Sequence, residues 1–310
     1  MKLLIYTFLF FNILYGVTFE EATENFNKKN YVEAYEQYSE LALNDDANAQ
    51  YNIALMNYKG LGINKNQKLA FFWYEKSALN GNAAAQNNLG HMYYMGEEVK
   101  KDISAAEKWY KLSAEANYPI AQLNLAMLYD LSTNEEKVKQ AFYWYEKASQ
   151  QGVIIAQNNL AKMYYMGRGT KTDKEKARYW FTKASEGLNP IAQANLAMMY
   201  LLADGVEENI PKAVDLLTKS AEQNNLSAMI KLADLYEKGK VVSQDYNKAF
   251  YWFNKSVEFD STLAIFQVGL YYYHGYGVEK DEAKGISYIR IAKDKGYKRA
   301  ENFFKLNNLK

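Results

Sequence analysis

The chain has 310 residues, with 37 Lys and Arg against 36 Asp and Glu, so its formal net charge is +1 at pH 7. This balance gives no reason to expect a phosphate-rich partner and disfavours nucleic-acid binding. There is no cysteine, which excludes disulfides, thiol catalysis and thiolate metal sites, and the 3 prolines are few enough to permit long helices.

Residues 1–17 have the pattern of a secretory signal peptide. Lys2 precedes an apolar run over residues 3–17, small Gly16 lies near its end, and the acidic residues Glu20 and Glu21 follow. The pattern predicts an exported protein, periplasmic or secreted, that is cleaved near Gly16. An uncleaved anchor is the alternative, although the run is short for a transmembrane helix. No later segment is apolar enough to cross a membrane, so no stable span is expected after cleavage.

The segment 18–48 predicts a diverged helix pair that caps the repeats described next. Helical character extends from Phe19 to Leu43, and Ala34 stands one period of 36 residues before Ala70. We therefore expect an N-terminal pair similar to a tetratricopeptide hairpin in this segment.

Seven repeats follow over residues 49–299. A short string beginning Ala-Gln recurs about every 36 residues, and an aromatic or leucine column keeps the same register, which predicts stacked repeats. The repeats start at Ala49, Ala85, Ala121, Ala156, Ala192, Ala228 and Ala264, and the second column contains Trp73, Trp109, Trp144, Trp180, Leu216, Trp252 and Tyr288.

Each repeat predicts two helices joined by a glycine-containing loop. Ala85, Leu89 and Met92 are spaced as one apolar stripe of a helix that ends near Met95. Gly96 follows, where a left-handed residue commonly ends a helix. Residues 300–310 predict a truncated half-repeat as the C-terminal cap. The fold class is therefore all-α, a solenoid of helix-turn-helix units.

The repeats resemble the Sel1-like repeat family, a relative of the tetratricopeptide repeats. The matching motifs are Tyr164-Tyr165-Met166-Gly167-Arg168-Gly169 and Lys176-Ala177-Arg178-Tyr179-Trp180. The resemblance implies a right-handed superhelix and an adaptor or scaffold role in bacterial envelope or secreted proteins. One secreted branch of that family carries paired cysteines and is labelled β-lactamase or penicillin-binding. The absence of cysteine here disfavours carrying that activity over.

No catalytic, metal or cofactor motif emerges from the residues. There is no Ser-x-x-Lys turn for a serine β-lactamase, and the Gly-x-Gly loops lack the Gly-Lys-Ser/Thr ending of a phosphate-binding loop. His91 and His274 are the only histidines and lie far apart in the chain. We expect His91 on an outer helix face and His274 in a loop, both without a catalytic role. An RNA-binding helical repeat is a third alternative, which the balanced charge disfavours.

The first helices carry the candidate binding surface. Positions 3, 7 and 10 of each first helix point away from its apolar stripe, vary between repeats and are often apolar. Two interpretations remain: a concave groove for an extended peptide or partner helix, or burial by neighbouring repeats. The asparagines that recur once per repeat also allow two interpretations: they could clamp a ligand, or they could form hydrogen bonds between neighbouring helices. The candidate groove residues are Tyr51, Leu55, Tyr58, Asn88, Leu123, Met127, Met198, Leu201, Phe266 and Leu270.

Overall fold

A computed structural model describes residues 17–309 of the chain. The predicted signal peptide therefore lies outside the described residues, apart from Val17. Contacts between residues divide the chain into two units, Met1–Val153 (unit 1) and Ile154–Lys310 (unit 2).

Unit 1 contains an N-terminal helix pair followed by three helical hairpins. Its helices are α1 (Phe19–Asn27), α2 (Tyr31–Leu43), α3 (Ala47–Lys59), α4 (Gln67–Leu79), α5 (Ala83–Met95), α6 (Ile103–Glu115), α7 (Pro119–Asp130) and α8 (Glu135–Gln150).

Unit 2 contains four helical hairpins and one further helix at its C-terminal end. Its helices are α9 (Ile154–Met166), α10 (Lys174–Glu186), α11 (Pro190–Leu202), α12 (Ile210–Glu222), α13 (Leu226–Lys238), α14 (Tyr246–Val257), α15 (Thr262–His274), α16 (Glu282–Asp294) and α17 (Lys298–Leu306). The predicted all-α repeat fold is confirmed, with each hairpin made of one first and one second helix.

The first helices begin two residues before the predicted repeat starts. The side chain of Asn82 accepts a hydrogen bond from the backbone N–H of Ala85, so Asn82 is the N-cap and α5 begins at Ala83. Asn189 and Asn225 cap α11 and α13 in the same way. The caps satisfy N–H groups that would otherwise lack partners in the first turn. A capping residue three positions before five of the seven alanines was the sequence signal for this boundary: Asp46, Asn82, Asn189, Asn225 and Ser261.

Left-handed residues end most of the first helices. Gly96 follows α5 with φ +79°, a conformation that glycine adopts without a steric penalty. In α11 the same place is taken by Ala203, with φ +51°. The third hairpin departs from the pattern, because Leu131 after α7 keeps a right-handed φ of −74°. This is the repeat that lacks the loop glycines.

Small residues let the two helices of a hairpin approach each other. Ala54 on α3 and Ala70 on α4 are both fully buried. They share one core cluster with Leu89 and Met92 of the next first helix, and Trp73 packs against that cluster. Stacking within unit 1 therefore alternates between contacts inside a hairpin and contacts to the next hairpin, as the two sequence columns predict.

A set of serines, which the sequence reasoning missed, ties three of the second helices to the start of their own first helix. The hydroxyls of Ser77, Ser113 and Ser220 donate to backbone carbonyl oxygens at 2.6 Å. The acceptors are Ala47, Ala83 and Pro190. These bonds add polar specificity to hairpin interfaces that are otherwise largely apolar.

Within residues 17–309, the helices are all too short or too polar to traverse a lipid bilayer.

Candidate interaction surface

The ten candidate groove residues all lie on first helices. Met127 on α7 is 46 % exposed. Seven of the others are half-buried, which leaves part of each side chain accessible to a partner. These seven are Tyr51, Leu55 and Tyr58 on α3, Asn88 on α5, Met198 and Leu201 on α11, and Leu270 on α15.

Two of the ten are buried, so the prediction that they line a surface is wrong. Leu123 is 6 % exposed, because α7 lies against the preceding first helix, α5. Where α5 and α7 meet, the side-chain amide of Asn124 donates a hydrogen bond to the side-chain oxygen of Asn87 at 2.9 Å. Phe266 is 4 % exposed, and the ring of Tyr297 packs 5.3 Å from its own ring. Both side chains belong to the core.

In unit 1, three of the predicted residues meet in one pocket. Leu55, Tyr58 and Asn88 line a cavity of about 200 Å³ between α3 and α5, together with His91 and Glu97. The Tyr58 hydroxyl donates to the Glu97 carboxylate at 3.2 Å, which links two successive repeats. Burial and the neighbouring Glu97 charge raise the pKa of Tyr58, so its hydroxyl stays protonated. The pocket therefore offers an apolar wall and a polar edge that includes the protonated Tyr58 hydroxyl and the Glu97 carboxylate.

The glutamine and asparagine columns have different roles. The Gln50 and Gln86 side chains donate to carbonyl oxygens of the preceding second helix, in both cases at 3.1 Å. Gln122 and Gln193 repeat this bond. These glutamines are buried and serve the stacking of repeats. Asn88 is half-buried, accepts a hydrogen bond from Asn87 and lines the unit 1 pocket.

The two histidines lie on first helices. His91 is exposed on α5, as predicted, and lines the unit 1 pocket. His274 is the last residue of α15 and not a loop residue, so that expectation is wrong. Its ring stacks on Tyr276 with centroids 5.1 Å apart. Within the described part of the chain, no cluster of three or more His, Cys, Asp and Glu side chains could hold a metal ion.

Unit 2 contains a larger pocket that the sequence reasoning did not find. It has a volume of about 560 Å³ and lies between α13 and α15, with one wall from α17. Its polar lining includes Lys231, Asp234, Glu237, Gln267 and Arg299. Apolar periodicity does not indicate these polar residues. Arg299 also lies at the very end of the predicted repeats, on α17 after the second helix of the last hairpin, where the two repeated columns give no signal.

The repeat units match one known family throughout. A family model of the Sel1 repeat matches residues 47–82, 83–118, 119–153, 154–187, 190–225, 226–258 and 262–297. The chain belongs to the Sel1 repeat family. Each matched Sel1 repeat begins at or beside the first residue of a first helix, two residues before the starts that the sequence columns predicted.

Solved structures agree with this family assignment. A Sel1 repeat protein from Oxalobacter formigenes has 25 % identity and a TM-score of 0.73, and the match covers 92 % of this chain and 86 % of that one. A protective antigen present in uropathogenic Escherichia coli strains, which displays an SLR fold, has 26 % identity and a TM-score of 0.65. That match covers 90 % of this chain and 69 % of the antigen. A search of curated proteins found no match.

Proposed function

We propose that this Sel1 repeat protein is an exported, non-enzymatic scaffold that binds a partner protein or peptide on its first helices. The accessible apolar side chains on those helices carry the proposal. Met127, three residues before the end of α7, is a large apolar residue that is 46 % exposed. A single exposed apolar residue would not mark a binding site, but Met127 joins the half-buried Tyr51, Leu55 and Tyr58 on the first helices of unit 1, and such an apolar surface favours binding.

The unit 1 pocket supplies a second feature typical of a binding surface. Leu55 and Tyr58 provide apolar area, and Asn88 and His91 provide polar groups at the edge of the same cavity. Recognition sites commonly combine an apolar lining with a few placed polar groups. A side chain of the partner would enter this pocket, while the helix surface around Met127 would contact the rest of the partner.

Export is proposed from the N-terminal segment. Lys2 and the apolar run over residues 3–17 form a secretory signal pattern. The description of the Escherichia coli structure as a protective antigen fits a protein presented outside the cytoplasm. Mass spectrometry of the chain purified from separated cell fractions tests export: we expect a mature chain that starts near Val17 in the periplasm or medium. A chain that retains Met1 and stays in the cytoplasm contradicts the proposal.

Partner binding can be tested by site-specific photo-crosslinking in intact cells. We place the crosslinker at Met127 on α7 and, as a matched control, at Leu112 on the second helix α6, which is 39 % exposed. Mass spectrometry should identify a partner captured from position 127 and not from position 112. The double substitution of Leu55 and Met127 by lysine should abolish capture by a crosslinker placed at Tyr51.

Circular dichroism of the double variant provides the folding control. A helical spectrum unchanged from the natural protein, together with lost capture, supports the surface. Equal capture from positions 127 and 112 contradicts it, as does capture from the control position alone. A nitrocefin assay on the purified protein tests the enzyme alternative, and sustained turnover would reject the scaffold role.

A further inference from the structure

The pocket in unit 2 is large, and its lining combines apolar and charged side chains. Its volume of about 560 Å³ falls within the range of ligand-binding pockets, roughly 300–1,000 Å³. Ile230 on α13 and Leu263 on α15 contribute apolar walls, and Phe253 of α14 forms part of the buried base. An apolar side chain of a ligand would lose its water contacts on entering this space, which favours binding.

One wall of the pocket holds a constrained carboxylate. Glu237 accepts hydrogen bonds from the Tyr271 hydroxyl and the Gln267 side-chain amide, each at 3.2 Å. Because a carboxylate only accepts hydrogen bonds, the Gln267 amide must point its nitrogen at Glu237, and the other terminal atom of the amide is therefore the oxygen Oε1. That oxygen is buried and has no hydrogen-bond partner within residues 17–309. A buried amide oxygen of this kind is normally satisfied, and a ligand N–H group would satisfy it if the Gln267 side chain turned the oxygen towards the pocket.

The charges around the pocket leave an excess of positive charge. Three basic side chains, Lys231, Lys238 and Arg299, face two acidic ones, Asp234 and Glu237, so the lining has a formal net charge of +1. Lys238 pairs with Asp234. Lys231 and Arg299 form no ion pair within 4.0 Å among the described residues. Arg299 instead lies with its guanidinium 5.6 Å from the ring centre of Phe266.

We propose that this pocket binds an acidic peptide, with an apolar side chain between Ile230 and Leu263 and a carboxylate held by Lys231 and Arg299. A backbone N–H of the peptide donates to the oxygen of Gln267 after that side chain turns towards the pocket. Arginine suits this role because its planar group pairs with a carboxylate through two parallel hydrogen bonds. The inference rests on the proposed function, since it names the chemistry of a ligand for the first-helix surface.

A peptide array tests the ligand class directly. The full-length mature chain is applied to hexapeptides in which one apolar and one acidic, neutral or basic residue are fixed and the other positions are mixed. We expect the peptides with aspartate or glutamate to give the strongest signals. Strongest signals from basic or neutral peptides overturn the proposal, as does an array without signal above background.

Fluorescence anisotropy with the best acidic peptide then tests the site. Arg299→Gln and Lys231→Gln should each weaken binding about tenfold or more, because each removes a charge-assisted bond. The peptide with glutamine in place of its acidic residue should lose affinity to a similar degree, and added salt should weaken only the acidic peptide. Lys219→Gln is the matched control, since Lys219 is an exposed lysine on α12 that pairs with Asp215 outside the pocket.

The outcomes separate this inference from the proposed function. Unchanged affinity in Arg299→Gln and Lys231→Gln overturns the pocket assignment, while partner capture through Met127 in unit 1 would still support the scaffold role. Conversely, Arg299-dependent binding without any capture through Met127 rejects the unit 1 surface and retains the acidic-peptide pocket. Circular dichroism of the two variants verifies that α13 and α17 remain folded.

Discussion

A methyl group built on Gly285 of α16 would lie 2.8 Å from the carbonyl oxygen of Gly269 on α15. In the first Sel1 repeat the equivalent positions are Ala54 and Ala70, both fully buried. The last repeat therefore uses glycine on both helices where the first one uses alanine. Its two backbones approach more closely than an alanine pair allows, so an added carbon on Gly285 would clash with backbone atoms of α15.

Gly285→Ala should lower the free energy of unfolding by about 1–3 kcal/mol, as overpacking in a core commonly does. The added carbon would also lie 2.7 Å from the backbone nitrogen of Tyr273, and backbone atoms cannot move aside as a side chain can. Urea denaturation measures the change. Gly90→Ala is the matched comparison, because its new carbon meets a side chain, the Tyr110 ring, at 2.9 Å, while the nearest backbone atom of α6, the carbonyl oxygen of Ala106, is 3.3 Å away. An equal effect in both variants contradicts this explanation.

Ala203→Gly should raise stability by about 0.5–1 kcal/mol. Ala203 ends α11 with φ +51°, a conformation that costs an L-residue about 1–2 kcal/mol and glycine almost nothing, partly offset by the greater freedom of glycine in the unfolded chain. Gly239→Ala at the equivalent place is the reverse experiment. It should destabilise, because φ is +63° and the new carbon would lie 2.6 Å from Cβ of Gln244. Thermal unfolding compares the two; a lower melting temperature for Ala203→Gly contradicts the prediction.

The repeat architecture could be predicted because stacking places the same side chain in the same environment once per repeat. Ala85 and Trp109 mark two such environments, and their columns locate both helices of every hairpin. The exact helix starts were missed because apolar spacing does not report the capping residue. Asn82 three residues before Ala85 supplies that information through one hydrogen bond.

The binding surface was less predictable than the fold. Helix periodicity separates the faces of one helix, but it does not report where a neighbouring element lies. Leu123 and Phe266 occupy outward positions of their helices and are buried by elements beside them. The unit 2 pocket depends on Arg299, which reaches it from the helix that follows the last repeat. No periodic signal connects that residue to α13.

Leu123→Lys and Met127→Lys should differ sharply although the two residues lie one helical turn apart. Leu123 is 6 % exposed, so a lysine there must either bury its charge or separate α5 from α7. Either change should lower the free energy of unfolding by about 3 kcal/mol or more. Met127 is 46 % exposed and its substitution should change stability by about 0.5 kcal/mol or less. Urea denaturation of both variants measures the difference. Comparable losses would place Met127 in the core and remove it from the proposed surface.

Glu237→Gln should raise the melting temperature at pH 7. Burial raises the pKa of Glu237 above its ordinary value of 4.5, and the negative charge of Asp234 adds to the increase. The hydrogen bond from the Tyr271 hydroxyl and the positive charges of Lys238 and Arg299 lower the pKa, but they do not cancel the effect of burial. A carboxyl with a raised pKa binds its proton more tightly in the folded state, so it destabilises the fold when charged at neutral pH. Glutamine removes the charge and still accepts the hydrogen bond from Tyr271.

The advantage of Glu237→Gln should shrink as the pH falls towards 4.5, because the natural carboxyl then becomes protonated in the folded state and its cost disappears. Thermal unfolding of both proteins across that interval measures this. Glu301→Gln provides the comparison of opposite sign: a hydrogen bond from Lys305 lowers the pKa of Glu301, so that substitution should remove a small stabilisation present at neutral pH and lost in acid. A Glu237→Gln protein that is less stable at pH 7, or a difference that does not change with pH, means that the Glu237 carboxylate stabilises α13 and α15 in its charged form.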